Sequence, residues 1–288
     1  MKKISLIIVT YNSSKHIYDC LDSVFNHNDL GNDLEVIVVD NDSQEQKPMF
    51  EGVKKKYGDS VILKDSGRNG GYGYGNNVGI KIATAPIVIV MNPDVRIESP
   101  IFESIIAKMN GDKSVGVLGV SFIDGSLPYY VKLEKVNFFN QIIHPLRIKF
   151  HKYNEQLMYM SGSFLVFRKD VFERAGAFDE NIFMYTEEPD ITNRIQTLGF
   201  KAIWCPDIQV RHLAHGRGFS KRTEDMMLES LKYYFKKYNA DLSYNLTVKI
   251  RVGKIKKLVA TIIGNKEKIE YFEMRINYLN DNLKALAS

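Results

Sequence analysis

The sequence predicts an α/β fold built on a mostly parallel sheet with helices over both faces, and three observations point there. Apolar, β-branched runs recur at 4–9 (ISLIIV), 35–39 (EVIVV), 61–63 and 87–91 (IVIVM), continuous rather than alternating, as strands buried on both sides require. Amphipathic stretches separate them: Ile17, Leu21, Val24 and Phe25 recur at helical spacing, and helices fit around 50–57 and 76–83. Polar residues gather just past the strand ends, with Thr10, Tyr11 and Asn12 after the first, 40–43 after the second and 92–94 after the fourth. The carboxyl ends of the strands are where an open α/β sheet forms its ligand crevice.

Beyond residue 120 the pattern loosens. The aromatic and basic stretch 129–153 reads as a long excursion over the sheet, of the kind that often contacts substrate. Residues 160–168 (MSGSFLVFR) resume as a strand, 169–175 as a short helix, 186–198 as a helix, 202–204 and 208–210 as extended segments, and 222–238 as a helix. Near the end, Ile269, Phe272, Ile276, Leu279, Leu283 and Leu286 form a heptad seam on a helix of about five turns. Before it, Lys249, Arg251, Lys254, Lys256 and Lys257 interleave with Ile250, Val252, Ile255, Leu258 and Val259. Such a basic amphipathic segment suits an anionic membrane surface. It equally suits packing of both helices on the rest of the chain or on a second copy, and the pattern leaves the two open.

A chain of 288 residues with 44% hydrophobic content can bury a substantial core. A net charge of +5 without a concentrated basic reading motif argues against a nucleic-acid partner. The only cysteines, Cys20 and Cys205, lack metal-type spacing and fit buried thiols in a reducing compartment. The apolar run ending at Val9 is too short for a signal peptide or a membrane span, so a cytoplasmic protein is expected.

Five segments carry the candidate chemistry. At the end of the second strand, Asp40 is placed to accept the imino proton of a pyrimidine, with Asn41 and Ser43 beside it for base or ribose, although strand-end Asp and Asn are also common turn formers. Residues 67–79 (GRNGGYGYGNNVG) make a glycine-rich loop entering a helix, where backbone N–H groups can approach phosphate or sugar oxygens. Asn76 and Val78 stand where a dinucleotide fingerprint needs its third glycine, and no Walker motif is present. At 92–94, Asn92-Pro93-Asp94 ends a buried strand, and the Asp94 carboxylate suits Mg2+ or Mn2+. Glu187, Glu188 and Asp190 crowd the first turn of a helix after Phe183, Met184 and Tyr185; a partly buried acid there has a raised pKa and suits proton abstraction. His212 and His215 follow a strand, and one of them can complete a metal site or touch a diphosphate; His212, nearer the strand end, is the stronger candidate.

In this order the motifs resemble the bacterial inverting glycosyltransferases of family 2, above all the rhamnosyltransferase-like branch, over about residues 4–235. The family's Thr-Tyr-Asn matches Thr10, Tyr11 and Asn12, and its Val-Asp-Asn-x-Ser matches Asp40, Asn41 and Ser43. Its glycine-rich loop matches Asn69, Gly71, Tyr72, Gly73, Gly75, Asn77 and Gly79, with Tyr72 in place of Phe and Gly73 in place of Ala. Its metal-binding Asp-x-Asp element, often Asn-Pro-Asp in this branch, matches Asn92 and Asp94; its Gly-Phe-Asp-Glu segment resembles 177–180. Its Glu-Asp-x-Asp helix start resembles 187–190, with Glu188 where the family carries its catalytic Asp.

The resemblance implies a glycosyltransferase A-type fold, a Rossmann-like nucleotide-binding mixed sheet flanked by helices, with a C-terminal helical extension. It further implies a nucleotide-sugar donor, dTDP-rhamnose or a UDP-sugar, bound by Thr10, Tyr11, Asn12, Asp40, Asn41, Ser43, Asn69, Gly71, Tyr72, Asn77, Asn92 and Asp94. A divalent cation, Mg2+ or Mn2+, is expected on Asp94 and His212. Glu188 is expected as the base, and Glu187 and Asp190 beside the acceptor or behind the base. The acceptor would be a glycan or lipid-linked sugar of cell-surface polysaccharide synthesis, such as O-antigen. The expected division is a catalytic domain over 1–240 and a helical tail over 241–288, which contacts the inner membrane face or a second copy. A nucleotidylyltransferase is disfavoured because 10–14 lacks a basic glycine-rich loop. The remaining alternative is a non-catalytic carbohydrate-binding or scaffold protein of the same fold.

Overall fold

The computed structural model describes residues 1–213 and 218–287 and divides into two compact units, Met1–Tyr130 with Tyr159–Ala214, and Val131–Met158 with His215–Ser288. In the first unit, β1 (Ile4–Thr10), β2 (Leu34–Asp40), β3 (Val61–Asp65) and β4 (Ile87–Met91) are the continuous apolar runs of the sequence, and they pair in parallel. The sheet goes on through β5 (Val95–Arg96), β6 (Val115–Phe122), β9 (Phe164–Arg168) and β10 (Lys201–His212), in the spatial order β3-β2-β1-β4-β9-β6-β10-β5.

The sheet is mixed because β9 runs antiparallel to both β4 and β6. The chain re-enters at the carboxyl edge, where Phe164 pairs with Met91 and the Asn92 N–H donates to the Ser163 carbonyl at 3.0 Å. From that edge a strand can only run back toward the amino ends. The continuous strand expected over 160–168 is therefore broken: Met158–Met160 is a separate short strand, β8, paired with β7 (Tyr129–Val131), and 161–163 is a turn.

One face of the sheet packs Leu6, Ile8, Val36, Val38 and Ile89 against Ile17, Leu21 and Val24 of α1 (Ser14–Asn26), Val53 of α2 (Gln46–Tyr57) and Ile105 of α4 (Phe102–Gly111). Both cysteines are buried and free of disulfides, and burial pushes the Cys20 thiol up to about 12. The other face carries α3 (Gly71–Ile82), which starts at Gly71 rather than at the expected residue 76. Its glycines explain the early start, because they let the helix lie close on the sheet: a Cβ on Gly79 would stand 2.5 Å from Ile7 Cγ2 and 3.0 Å from Val39 Cγ2. Neither α4 nor β6 was expected from the sequence, and the two extended segments at 202–210 are one strand whose register shifts between Cys205 and Gln209.

The second unit is helical. It holds α5 (Phe138–Lys149), α8 (Lys221–Lys237), α9 (Leu242–Ile263) and α10 (Lys266–Ala287), so the excursion over 129–153 contains a helix and the expected boundary at 240 falls between α8 and α9, inside this unit. Gly264, left-handed at φ +75°, closes α9 and turns the chain into α10. The heptad seam is used within the chain: Ile276 and Leu279 are buried against Leu228, Leu246 and Ile250, with Phe272 and Leu283 packed alongside. Asn245 Nδ2 donates to the Leu133 carbonyl and the Tyr234 hydroxyl to Glu134, tying 131–136 onto the helices.

Glycine normally costs a helix about 1 kcal/mol relative to alanine, so the two glycines of α3 and α4 with opposite surroundings should respond with opposite sign. Gly79→Ala is expected to lower stability by about 1–3 kcal/mol, because buried, β-branched Ile7 and Val39 cannot yield. Gly111→Ala, with open space around it, should raise stability by up to about 1 kcal/mol. Urea unfolding of both variants checks the pair.

Candidate active site

The first unit gathers the candidate residues at the carboxyl edge of its sheet. Thr10 lies level with Asp40 in the β1–β2 register and donates to its carboxylate at 2.9 Å. The Ser43 N–H and hydroxyl donate to the same carboxylate at 2.8 and 2.6 Å, and Asp40 has no exposed surface. Through these bonds the Asp40 carboxylate fastens the two loops together. Ser43 also accepts from the Asn12 N–H, and Asn12, left-handed at φ +49°, accepts from the Gln44 N–H. What this braced loop presents outward is Tyr11, 47% exposed.

Asn41 performs the same service for the glycine-rich segment, donating to Asn69 Oδ1 at 3.1 Å and to the Gly71 carbonyl at 3.0 Å. Gly71 must be glycine: its φ is +88° and a Cβ would lie 2.1 Å from the Phe183 carbonyl oxygen. That carbonyl accepts the Tyr72 N–H, which locks the start of α3 to the residues just before α7 (Glu187–Thr197). Asn77, expected at the donor, is turned away: it bonds both the N–H and the carbonyl of Phe178 and so clamps the 178–180 segment. Most glycines of this loop serve packing, since a Cβ on Gly75 would meet Val9 at 2.7 Å and one on Gly73 would meet Phe178 at 2.9 Å.

At the start of α7 the three carboxylates part company. Asp190 is fully buried and forms an ion pair with Arg194 at 2.6 Å, one turn along the same helix. Glu187 is buried and accepts the Thr186 N–H at 2.8 Å; burial, then the neighbouring Glu188, hold its carboxyl well above the ordinary range. Glu188, less enclosed, accepts the Gly162 N–H at 3.2 Å and is also raised by burial. A Cβ on Gly162 would sit 2.2 Å from Glu188 Oε1, so only glycine leaves room for this acid. The Tyr72 hydroxyl donates to the Gly162 carbonyl at 2.6 Å, and burial and both glutamates push its pKa up. Tyr185, at φ +88°, is a bulky residue in a left-handed conformation just before this turn, a strain found where function demands a geometry.

Asp94 and His212 come together as the sequence suggested, with Oδ1 and Nε2 3.5 Å apart. The backbone enforces it: His212 pairs with Val95 in the β10–β5 ladder, and the Leu213 N–H donates to the Asp94 carbonyl at 2.8 Å. His212 Nδ1 stands 3.3 Å from the Ser126 hydroxyl and Nε2 3.3 Å from that of Ser163. The tautomer that donates from Nδ1 to Ser126 turns the Nε2 lone pair toward Asp94, as a metal-ligating imidazole requires. One carboxylate and one imidazole facing each other fit a divalent cation such as Mn2+. Among the described residues no cluster of three or more ligating side chains exists, so such a cation would fill its shell with phosphate oxygens and water. His215, the other candidate, lies outside the described residues.

Gly162 and Ser163, which the sequence offered only as part of a strand, join the two halves. Gly162 contacts Glu188 and Ser163 contacts His212, so consecutive residues, about 3.8 Å apart along the chain, hold the buried acid and the carboxylate–imidazole pair. Ser126, Asp124 and Tyr130, whose hydroxyl is raised by burial and by Glu188, were also not anticipated. The small polar interruption Ser161-Gly162-Ser163 before an apolar run was the signal available for this turn.

A mixed sheet with its polar loops, acid and candidate cation pair along one carboxyl edge defines a glycosyltransferase A-type protein. The fold likeness extends to the mannosyltransferase PcManGT of Pyrobaculum calidifontis, solved with GDP-Man and Mn2+, at a TM-score of 0.65 and 19% identity over 96% of this chain and 84% of that one. The sequence model described as glycosyl transferase family 2 matches residues 5–176, and the chain belongs to that family. It is 36% identical over 93 residues to the poly(ribitol-phosphate) beta-glucosyltransferase of Bacillus spizizenii, covering 32% of this chain and 15% of that protein. It is 38% identical over 61 residues to the N-acetylglucosaminyl-diphospho-decaprenol L-rhamnosyltransferase of Mycobacterium tuberculosis, covering 21% of this chain and 20% of that protein. These matches therefore span a fifth or less of the relatives' own lengths.

The raised carboxyls of Glu187 and Glu188 have a consequence for stability. The native chain keeps a proton that the unfolded chain releases near the ordinary value of 4.5, so stability must fall as pH climbs above 4.5 through the raised native range. Glu187→Gln, which retains an acceptor for the Thr186 N–H, should flatten that decline. Urea midpoints of both proteins at several pH values from 5 to 8 measure it.

Proposed function

We propose that the chain is a metal-dependent inverting glycosyltransferase that moves a sugar from a nucleoside diphosphate donor, dTDP-rhamnose or a UDP-sugar, onto a glycan or lipid-linked acceptor of cell-surface polysaccharide synthesis. The observation that carries this reading is the turn at Gly162 and Ser163, which holds Glu188 beside the Asp94–His212 pair. A base and a cation site side by side are what displacement of a diphosphate by a hydroxyl needs. Family membership supports the reaction class. The rhamnosyl and decaprenol diphosphate terms in the name of the mycobacterial relative favour rhamnose and a lipid-linked acceptor.

In the proposed reaction, exposed Tyr11 and the loop braced by Asp40, Asn12 and Ser43 receive the base and ribose, and the segment around Asn69, Gly71 and Tyr72 lines the donor. Asp94 and His212, with Asn92 beside them, hold the cation, which when bound neutralises charge developing on the departing diphosphate. Glu188 takes the proton from the acceptor hydroxyl, whose oxygen bonds to the anomeric carbon opposite the diphosphate. The anomeric C–O bond to the diphosphate breaks, and the configuration inverts. Gly162, held by the Tyr72 hydroxyl, positions Glu188, and burial raises the pH at which Glu188 is free to accept a proton.

Among the described residues no helix is long and apolar enough to cross a membrane. A peripheral place on an anionic membrane surface is favoured by α9, which exposes Ile255, Leu258, Val259, Ile262 and Ile263 beside Lys254 and Lys256.

Donor binding is tested by thermal denaturation with UDP, dTDP or GDP, each with and without Mn2+. A ligand at 100 times its Kd adds about 2.7 kcal/mol to native stability, so cation-dependent stabilisation by one pyrimidine diphosphate is expected, and Asp94→Asn should abolish the cation dependence. Silence from all three nucleotides would favour the non-catalytic carbohydrate-binding reading instead. Glu188→Gln should cut transfer by about 10²–10⁴-fold while leaving donor stabilisation intact. In the wild-type enzyme kcat should rise with pH on the acid side, as the raised Glu188 loses its proton. Transfer by the variant at the wild-type rate would disprove the base assignment.

A further inference from the structure

The helical unit contains a cavity of about 140 Å3 between α5, α9 and α10, lined by Gln141, Lys249, Lys256 and Arg275 together with Val252, Gly253, Phe272, Ile276 and Leu279. A single water occupies about 30 Å3 of liquid, so the space admits a polyatomic group. Three cationic side chains meet there, and the carboxylate that answers them is Glu224, whose Oε1 lies 2.9 Å from Arg275 Nε. Lys249 and Lys256 have no carboxylate within ion-pair distance among the described residues. Burial and then the Arg275 charge push Lys249 down to about 8 against the opposing pull of Glu224, and Lys256, exposed on one side and facing the cavity on the other, is lowered by its enclosed part and by Arg275. Three cationic side chains against one carboxylate around an apolar-walled cavity leave an excess of positive charge that an entering anion offsets.

We propose that this cavity binds the phosphate or diphosphate group of an anionic ligand, with Lys249 and Arg275 as its inner donors, Lys256 at its rim and Phe272 and Ile276 against its apolar part. Lipid headgroups and free phosphates share this chemistry. The exposed apolar residues Leu258, Val259, Ile262 and Ile263 follow Lys256 on the same helix, which makes a lipid phosphate the source to test first. The site is independent of the donor reading, since it lies wholly within the helical unit.

The test compares the wild-type chain with the double variant Lys249→Met and Lys256→Met, in EDTA so that cation-dependent donor binding is silent. Methionine keeps the bulk of lysine without its charge, so the variant should fold and, without ligand, melt no lower than wild type. Calorimetric titration with inorganic pyrophosphate, and cosedimentation with vesicles of phosphatidylglycerol and phosphatidylcholine against phosphatidylcholine alone, read the two sources. At least tenfold weaker binding by the folded variant to both pyrophosphate and the anionic vesicles supports a lipid phosphate. The same loss for pyrophosphate alone supports a free one. No binding by wild type in either arm, or equal binding by the variant in every arm where wild type binds, overturns the proposal.

Discussion

The hydrogen bond from the Asn92 N–H to the Ser163 carbonyl is the constraint on which the site turns. It pins the returning chain at the carboxyl edge of β4, which obliges β9 to run backward through the sheet. An all-parallel sheet would have brought the chain back at the far edge, leaving Gly162 and Ser163 remote from the loops that end β1 and β2. The antiparallel strand costs no pairing, because β4 and β6 bond to it on either side. It delivers two consecutive small residues to the one edge where the acid and the imidazole can both use them.

Around that turn the structure spends polar groups on positioning. Asp40, Asn41 and Asn77 satisfy neighbouring N–H groups, hydroxyls and carbonyls, and each fastens one loop to another. Buried polar groups with complete partners rigidify a site, and here they surround exposed Tyr11, Glu188 and the Asp94–His212 pair. Burial and the neighbouring Glu188 discourage ionisation of Glu187, burial discourages that of Glu188, and both glutamates help hold the Tyr72 proton.

Much of this was legible in the sequence where residues act locally. The strands β1, β2 and β4 are continuous apolar runs, and the polar clusters after them sit where such runs must end. The pairing of Asp94 with His212 followed from two strand ends and a family resemblance. Less legible were features that depend on partners distant in the chain. Whether Asp40 faces a ligand or a loop is decided by Thr10 and Ser43, and Asn77 faces Phe178 for reasons that no local pattern carries. The strand β6 reads as VGVLGVSF, apolar enough to have been found, but its glycines weakened the signal; they are there because Gly116 and Gly119 lie against Ile195 and Met160. The heptad seam of α10 was correctly apolar, yet heptads do not say which helix they meet, and here the partners are α8 and α9.

The four glycines of α3 make this helix depend on the strands beneath it. Gly73, Gly75 and Gly79 each cost about 1 kcal/mol of intrinsic helicity, and a segment of 12 residues is already short for a helix on its own. In the unfolded chain this stretch is a flexible tether. Its helical form depends on the surface that Ile7, Val9 and Val39 supply, so the positions of Asn69, Gly71 and Tyr72 depend on the pairing of β1 with β2. The segment over Asn69, Gly71 and Tyr72 is therefore ordered by the packed sheet beneath it, and without the pairing of β1 with β2 it has no fixed place.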